Sequence, residues 1–296
     1  LFPQLIAGPI IKYKDLDDQL GKRSHTLAQF AAGVERFVAG LAKKLLIANN
    51  LGQLWDACKA LGEGELTVAT AWLGILAFAF QIYFDFSGYS DMAIGLGRIF
   101  GFTFLENFDF PFISKSITEF WRRWHMSLGS WFRDYLYIPL GGNRVSSVRR
   151  IFNILVVWMA TGLWHGAAWT FVAWGLLFAA LLMIEKFWLL GPLKRLKGFS
   201  FIYVIPIILI SFVLFDSVSL SAAVSAIARF LFIGIHIVLI DVAPDAANQL
   251  FGERDTVPGE HDQIDLHLVL QQECTERGDC NLQCFIFGET VITGGD

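Results

Sequence analysis

The chain has 296 residues, of which 55% are hydrophobic, 15% aromatic and only 17% charged. Soluble domains carry about 25% charged residues, so this composition excludes an ordinary soluble protein and indicates an integral membrane protein. The formal net charge of −4 is divided unevenly, because residues 241–296 hold twelve acidic and two basic residues while residues 1–240 carry a net charge of +6.

Two regions follow from this division. We predict a basic membrane domain over residues 1–240, suited to anionic headgroups and phosphate-bearing ligands, and an acidic polar tail over residues 241–296 that is disordered or divergent. Membrane lipid, and no nucleic acid, is the partner expected of the basic domain. The sequence opens at Leu1 without an initiator methionine or signal peptide, so we expect an N-terminally truncated fragment. The three tail cysteines, spaced C-x5-C-x3-C, do not match a zinc pattern, and no metal site is expected.

The N-terminal part contains a predicted loop and a predicted amphipathic helix. Leu1–Ile10 holds two prolines and a glycine, too many for a helix interior, and predicts a loop at a membrane surface. Thr26–Trp55 has the periodicity of an amphipathic helix, with an apolar face formed by Phe30, Val34, Phe37, Leu41 and Leu45. Lys43 and Lys44 lie away from this face and are expected to mark a helix end near the headgroups.

The first transmembrane span is predicted at Leu66–Phe86, which is uncharged until Asp85. It continues to Phe102 through glycines, serines and alanines at spacings that allow helices to approach closely. Asp85 and Asp91 are acidic groups at membrane depth, and either is expected to pair with Arg98. For each aspartate, an internal polar tie between helices and a functional role both remain open.

Asn107–Gly142 mixes aromatic residues with arginines, so it is not an ordinary lipid-exposed span. Ser116 or Thr118 is the predicted cap of a helix that runs to about Tyr137. On this helix His125 is expected to share a face with residues three and four positions away, namely Trp121, Arg122, Leu128, Gly129 and Phe132. An amphipathic surface helix and a helix that enters the protein with a basic mouth both fit this pattern.

The central segment is Ile151–Trp188, in which His165 is the one ionisable group between Ile151 and Ile184. Such a run exceeds the roughly 20 residues needed to cross a bilayer, and an imidazole inside it is by default a functional-site candidate. Gly162 and Gly166 permit a break or a close approach. The surrounding tryptophans are predicted to form rigid apolar walls, namely Trp158, Trp164, Trp169 and Trp174. The alternative is a structural histidine bonded to a neighbouring helix.

Charge does not orient Ile151–Trp188 as a straight span, because basic loops at 144–150 and 194–197 lie at its opposite ends. A re-entrant segment would remove this conflict. Beyond it, Phe201–Phe215 and Ala222–Ile240 are predicted as further apolar spans.

Four motifs in order along the chain resemble the membrane-bound O-acyltransferase (MBOAT) family: LFPQLIAGPI, QIYFDFSGYSDMAIGLGRIFGF, FWRRWHMSLGSWFRDYLYIPLGGNR and TGLWHGAAWTFVAWG. Within the family they are similar to the bacterial alginate O-acetyltransferase branch, and also to the D-alanyl transferase of teichoic acid synthesis. The resemblance extends from Leu1 to about Phe232. The family's N-terminal spans are absent before Leu1, and the sequence after about Ile235 does not look like its final helices.

This resemblance implies an all-α, polytopic transmembrane fold with a buried tunnel, in the bacterial inner membrane. It implies transfer of an acetyl or other acyl group from a thioester donor, such as acetyl-CoA, toward a hydroxyl of a cell-surface or exported polysaccharide. No bound cofactor is expected, and an extracytoplasmic acyltransferase is a further expected partner protein. The family's histidines correspond to His165 and His125, the expected catalytic residues. The expected substrate-binding residues are Trp164, Asp85, Trp124, Arg122 and Arg123.

The chemistry explains why these residue types matter. Acyl transfer to a sugar hydroxyl needs a base, and a neutral imidazole is the usual base near neutral pH, contributing about 10²–10⁴-fold, so His165 is the candidate general base. His125 could position a substrate, donate to the oxyanion or bond to the acyl carrier. Asp85 could orient an imidazole, as in hydrolase triads, and the arginines could bind donor phosphates or anionic lipid. Without an evident serine or cysteine nucleophile, direct transfer is favoured.

Two other classes of protein remain open at this point. A transporter or channel would use His125, His165, Asp85 and Asp91 as a proton or ion path, and would show histidine-dependent flux without an acyl donor. A haem or metal protein would be ligated through the two Trp-His dipeptides, and metal analysis would reveal it.

Overall fold

A computed structural model of the chain describes residues 8–21, 23–61, 67–195, 200–224 and 226–228. Within these ranges the chain is all-α, as predicted, and the residues up to Ile227 belong to one compact unit. The helices are α1 Tyr13–Leu20, α2 Leu27–Ala42, α3 Asn49–Lys59, α4 Val68–Ile99, α5 Ile117–Arg123, α6 Met126–Phe132, α7 Ser147–His165, α8 Trp169–Ile184, α9 Leu190–Arg195 and α10 Phe201–Asp216. The predicted loop at Leu1–Ile10 and the span at Ala222–Ile240 lie largely outside the described residues, and the acidic tail lies wholly outside them.

Two helical stretches among the described residues are long and apolar enough to cross a bilayer. One is Val68–Ile99, and the other is Trp169–Leu193, which joins α8 to α9 through a π-helical turn at Glu185–Leu189. The first predicted span is therefore confirmed. As expected, α4 continues without a break through the small-residue segment that follows Phe86, and it ends at Ile99.

The predicted amphipathic helix is confirmed as a continuous helical stretch formed by α2, a π-helical turn at Lys43–Ala48 and α3. Thr26 caps it, since its Oγ1 accepts the backbone N–H of Gln29 at 3.1 Å. Residues of the predicted apolar face, namely Phe30, Val34, Leu41 and Leu45, point outward and stay exposed. The expectation that Lys43 and Lys44 mark a helix end is wrong, because both lie in the middle of this stretch.

Glycines allow α2 to lie directly against α4. A Cβ atom on Gly40 would lie 2.5 Å from the carbonyl oxygen of Gly88, and one on Gly33 would lie 2.7 Å from that of Gly95. Any larger residue at these positions would force the two backbones apart. The small residues of α4 therefore form a helix contact, as their spacing predicts.

The histidine-bearing run is a helical hairpin rather than one span. Its arms α7 and α8 are antiparallel, and the turn starts at Gly166, whose backbone is extended. At the crossing, a Cβ atom on Gly162 would lie 2.3 Å from the carbonyl oxygen of Phe171, and one on Gly175 would lie 2.3 Å from that of Trp158. The break predicted near the glycines is confirmed, and it reverses the chain direction.

Both ends of the hairpin meet at one side. Lys186 Nζ donates to Oδ1 of Asn143 at 2.6 Å, which ties the end of α8 to the loop before α7. Arg144 before α7, the arginines Arg149 and Arg150 at its start, and Arg195 of α9 therefore lie at the same end of the hairpin. The sequence left a straight span and a re-entrant segment open, and the hairpin is the re-entrant alternative. The hairpin removes the conflict with the positive-inside rule.

The helix predicted to start at Ser116 starts there but is interrupted. Ser116 Oγ accepts the N–H of Glu119 at 2.9 Å, and α5 ends at Arg123. The backbone of His125 is left-handed, with φ 46° and ψ 53°, which costs a non-glycine residue about 1–2 kcal/mol and cannot continue a right-handed helix. The shared helical face predicted for His125 is therefore wrong.

The start of α5 is anchored on the hairpin. Glu185 is fully buried and accepts the N–H of Ile117 at 2.5 Å, the N–H of Thr118 at 2.8 Å and its Oγ1 at 2.6 Å. A carboxylate is favoured at a helix N-terminus, where N–H groups lack partners. One turn later Trp121 packs on Trp158 of α7, with ring centroids 4.9 Å apart. The start of this segment therefore packs against the hairpin, with Ile117 and Phe120 buried and Arg122 exposed.

Candidate active site

His165 is the last residue of α7 and lies at the tip of the hairpin. Four aromatic rings surround its imidazole, with centroids 4.9 Å away for Trp164, 5.2 Å for Trp174, 5.2 Å for Phe215 and 6.3 Å for Phe171. Its Nδ1 atom is buried and has no hydrogen-bond partner among the described residues. Leaving such an atom unpaired costs about 1–3 kcal/mol. A buried group of this kind is consistent with a functional site.

The aromatic wall differs in part from the predicted one. Trp164 and Trp174 contact the imidazole as predicted, while Trp158 packs behind Trp174 with centroids 6.4 Å apart. The prediction for Trp169 is wrong, because its side chain is 76% exposed. It lies five residues before Trp174, and at 3.6 residues per turn this spacing directs the two indoles to different faces of α8.

His125 lies close to His165. Its ring centroid is 4.7 Å from that of Phe86 on α4 and 5.8 Å from that of Trp164, and the residue is 5% exposed. Trp164 also contacts His165, so one indole contacts both histidines. The two histidines singled out in the sequence are thus neighbours.

The other predicted substrate-binding residues take different positions. Trp124 is buried and stacks on Phe120, with centroids 5.5 Å apart. Arg123 forms ion pairs with Asp109 at 2.7 Å and with Glu119, one helical turn earlier. Arg122 is exposed. Of the predicted substrate-binding residues, Trp164 is the one seen in contact with the imidazoles of both His125 and His165.

The membrane aspartates form ion pairs with the neighbouring helical stretch. Asp85 pairs with Lys44 and Asp91 with Lys43, each at 2.6 Å. The pairing predicted with Arg98 is wrong, because seven residues along a helix separate two groups by about 10 Å. An internal polar tie is thus observed for both aspartates. The carboxylate of Asp85 engages a lysine rather than an imidazole among the described contacts.

Three residues at the site were missed in the sequence. Phe86 contacts His125, Phe215 contacts His165, and the carbonyl oxygen of Asn107 accepts the N–H of the residue after His125. Phe86 could have been noticed, since it follows an aspartate at membrane depth. The other two carry no local signal, because each contact joins segments that are distant in the sequence.

Long apolar helices, together with a buried His125 and a half-buried His165 among aromatic rings, define a membrane-embedded helical protein with a histidine site. The sequence model of the membrane-bound O-acyltransferase family matches residues 1–192. The chain belongs to this family, as the four motifs indicated.

Named relatives place the chain within the family. It is 47% identical over 224 residues to "Probable alginate O-acetylase AlgI" of Azotobacter vinelandii, covering 75% of this chain and 44% of that protein. It is 42% identical over 188 residues to the peptidoglycan O-acetyltransferase of Helicobacter pylori, covering 62% and 36%. It is 31% identical over 205 residues to the teichoic acid D-alanyltransferase of Streptococcus thermophilus, covering 63% and 48%. The expected alginate O-acetyltransferase-like branch is confirmed, and the chain spans less than half the length of these relatives.

Proposed function

We propose that this chain forms part of a multi-pass O-acyltransferase of the bacterial inner membrane, which moves an acetyl group from a thioester to a hydroxyl of an exported or cell-surface polysaccharide. The names of two relatives support this, since they specify O-acetylation of alginate and of peptidoglycan. The observation that carries the proposal is the pair His125 and His165, whose rings both contact Trp164.

In the proposed reaction His165 is the general base. The acceptor hydroxyl oxygen attacks the thioester carbonyl carbon while the imidazole takes the hydroxyl proton, so that a C–O bond forms. When the tetrahedral intermediate collapses, the C–S bond breaks and the imidazolium returns the proton to the departing thiolate. The aromatic rings around His165 limit the access of water that would hydrolyse the thioester. A base of this kind contributes about 10²–10⁴-fold.

The remaining residues have proposed roles around this step. His125 also contacts Trp164, and it serves to position the acceptor or to donate to the oxyanion. Acetyl-CoA, or another acyl thioester, is the proposed donor, and the exposed guanidinium of Arg122 suits a donor phosphate. The acetyl group reaches the polymer directly or through an extracytoplasmic acyltransferase.

Substitution of His165 tests the proposal. His165→Gln in a full-length protein carrying this sequence should lower acetyl-ester formation at least 100-fold, because the base is removed, while expression and membrane insertion persist. The matched control is His25→Gln, since His25 lies in an exposed loop before α2. The measurement is acetate released by mild base from the polysaccharide. Unchanged ester content in His165→Gln would contradict the proposal, and histidine-dependent ion flux in proteoliposomes without a donor would favour a transporter.

A further inference from the structure

We propose that Asn107 is a positioning residue for acyl transfer, because its buried side chain caps the helix that starts directly after His125 and so fixes the left-handed turn that presents this imidazole to Trp164. The inference rests on the proposed function and adds a residue to it. It is drawn from the juxtaposition of Asn107, the first turn of α6 and α4.

His125 occupies the N-cap position of α6, where a side chain usually accepts the N–H groups of the first turn. Its imidazole makes no such bond within the described part of the chain, and it instead contacts Phe86 and Trp164. An imidazole bonded to its own helix could not face another group. Something else must satisfy the first N–H groups of α6.

Asn107 satisfies them. Its carbonyl oxygen accepts the N–H of Met126 at 2.9 Å, and its Oδ1 accepts the N–H of Ser127 at 3.2 Å and Ser127 Oγ at 2.9 Å. Asn107 is 1% exposed and Ser127 is 2% exposed, so water does not compete for these bonds. One asparagine from a distant segment thus replaces the cap that His125 does not supply.

The same segment also binds the chain before the turn. The N–H of Asp109 donates to the carbonyl oxygen of Arg123 at 2.9 Å. Residues 107 and 109 therefore hold both sides of the Trp124–His125 dipeptide. A left-handed residue persists only where its surroundings fix it, and these bonds provide that constraint.

The side chain of Asn107 is itself held by α4. Asn107 Nδ2 donates to Ser90 Oγ at 3.1 Å, and Ser90 lies one helical turn after Phe86, whose ring meets the imidazole of His125 edge-on. The backbone and the ring of His125 are thus both fixed relative to one helix. Without the side chain of Asn107 the turn relaxes and the imidazole moves relative to Trp164. A displacement of about 1 Å is enough to lower turnover roughly 100-fold.

The test uses variants of Asn107 in the full-length protein, with acetyl transfer measured per amount of monodisperse protein. Asn107→Leu keeps the approximate side-chain shape and removes its hydrogen bonds, and we expect kcat to fall roughly 10–100-fold with little change in KM. Asn107→Asp keeps the oxygen that accepts hydrogen bonds from Ser127, and its turnover should be at least tenfold higher than that of Asn107→Leu. The matched control is Asn153→Leu, because Asn153 is equally buried but donates to the carbonyl oxygen of Leu140, in the segment before α7. This contact lies at the end of α7 opposite His165. The turnover of Asn153→Leu should be unchanged.

A double-mutant cycle separates positioning from stability. If Asn107 acts through His125, then Asn107→Leu causes no further loss of turnover in a His125→Gln background. The inference would be overturned if the losses from Asn107→Leu and His125→Gln multiply in the double variant. It would also be overturned by full turnover in Asn107→Leu, or by an equal loss in Asn153→Leu. Should Asn107→Leu fail to accumulate, Ser90→Ala removes the anchor to α4 and the same cycle applies. If His125→Gln and His165→Gln both leave ester formation unchanged, it is the proposed function that fails.

Discussion

Replacing Gly162 by alanine would separate the arms of the hairpin close to the candidate base. The new Cβ would lie 2.3 Å from the carbonyl oxygen of Phe171, whereas ordinary contact begins at 3.4 Å, so about 1 Å is lacking. The obstructing atom belongs to the backbone of α8 and cannot rotate away. His165 lies three residues further along α7, less than one turn, and its ring must shift against Trp174 by a comparable distance.

Both stability and turnover should respond to this change. Overpacking of this kind destabilises by about 1–3 kcal/mol, and a 1 Å displacement lowers turnover up to about 100-fold. We expect heated Gly162→Ala protein in detergent to lose its monodisperse fraction at a lower temperature than the wild type. It should also form acetyl esters roughly 10–100-fold more slowly than the wild type. Gly191→Ala in α9 is the control, since a Cβ there meets nothing within 4 Å. Unchanged stability and turnover in Gly162→Ala would refute the close approach of α7 and α8.

Two further predictions concern charged groups. Lys44→Met leaves the carboxylate of Asp85 buried without its cation and should lower the free energy of unfolding, by less than the 3–5 kcal/mol typical of a fully buried pair because the lysine side chain is 31% exposed. Lys44→Met/Asp85→Leu should recover most of the loss in the same heating assay, and equal losses in the two variants would contradict the pairing. Asp134 lies outside the candidate spans, and hydrogen bonds from Arg133 and Lys12 lower its pKa from 3.8 to about 2. Because the folded pKa is the lower one, this tie contributes stability above about pH 3.8 that is lost as the pH falls toward 2. Pepsin should therefore cleave near Lys12 only toward pH 2 in the wild type but already near pH 4 in Asp134→Asn, and identical profiles would argue against the tie.

The two histidines could be found from the sequence because an imidazole in an apolar run is costly and therefore informative. The hairpin that carries His165 could be found only in part. Gly166 signals a break, but the direction of the following helix depends on the backbone contacts at Gly162 and Gly175, which no local pattern encodes.

The contacts of His125 and Asp85 could not be predicted from the sequence for a related reason. A helical wheel assumes uniform α-helix, whereas His125 is left-handed and Lys43–Ala48 is a π-helical turn that changes the register of the side chains. That turn lets Lys43 and Lys44, adjacent in sequence, reach two carboxylates on α4. Such departures are stabilised by contacts with distant segments, so they emerge only with the tertiary structure.

Because both arms of the hairpin return to the same end, the length of α7 alone sets how deep the candidate base lies. Fifteen residues separate Arg150 from His165, or about 22 Å at 1.5 Å per residue, in a hydrocarbon layer about 30 Å thick. Basic residues favour the cytoplasmic face, so we expect the imidazole to sit in the outer third of the bilayer. Under the proposed function, a polymer outside the cell would then meet it after a short path, and a thioester made in the cytoplasm would have the longer distance to cover.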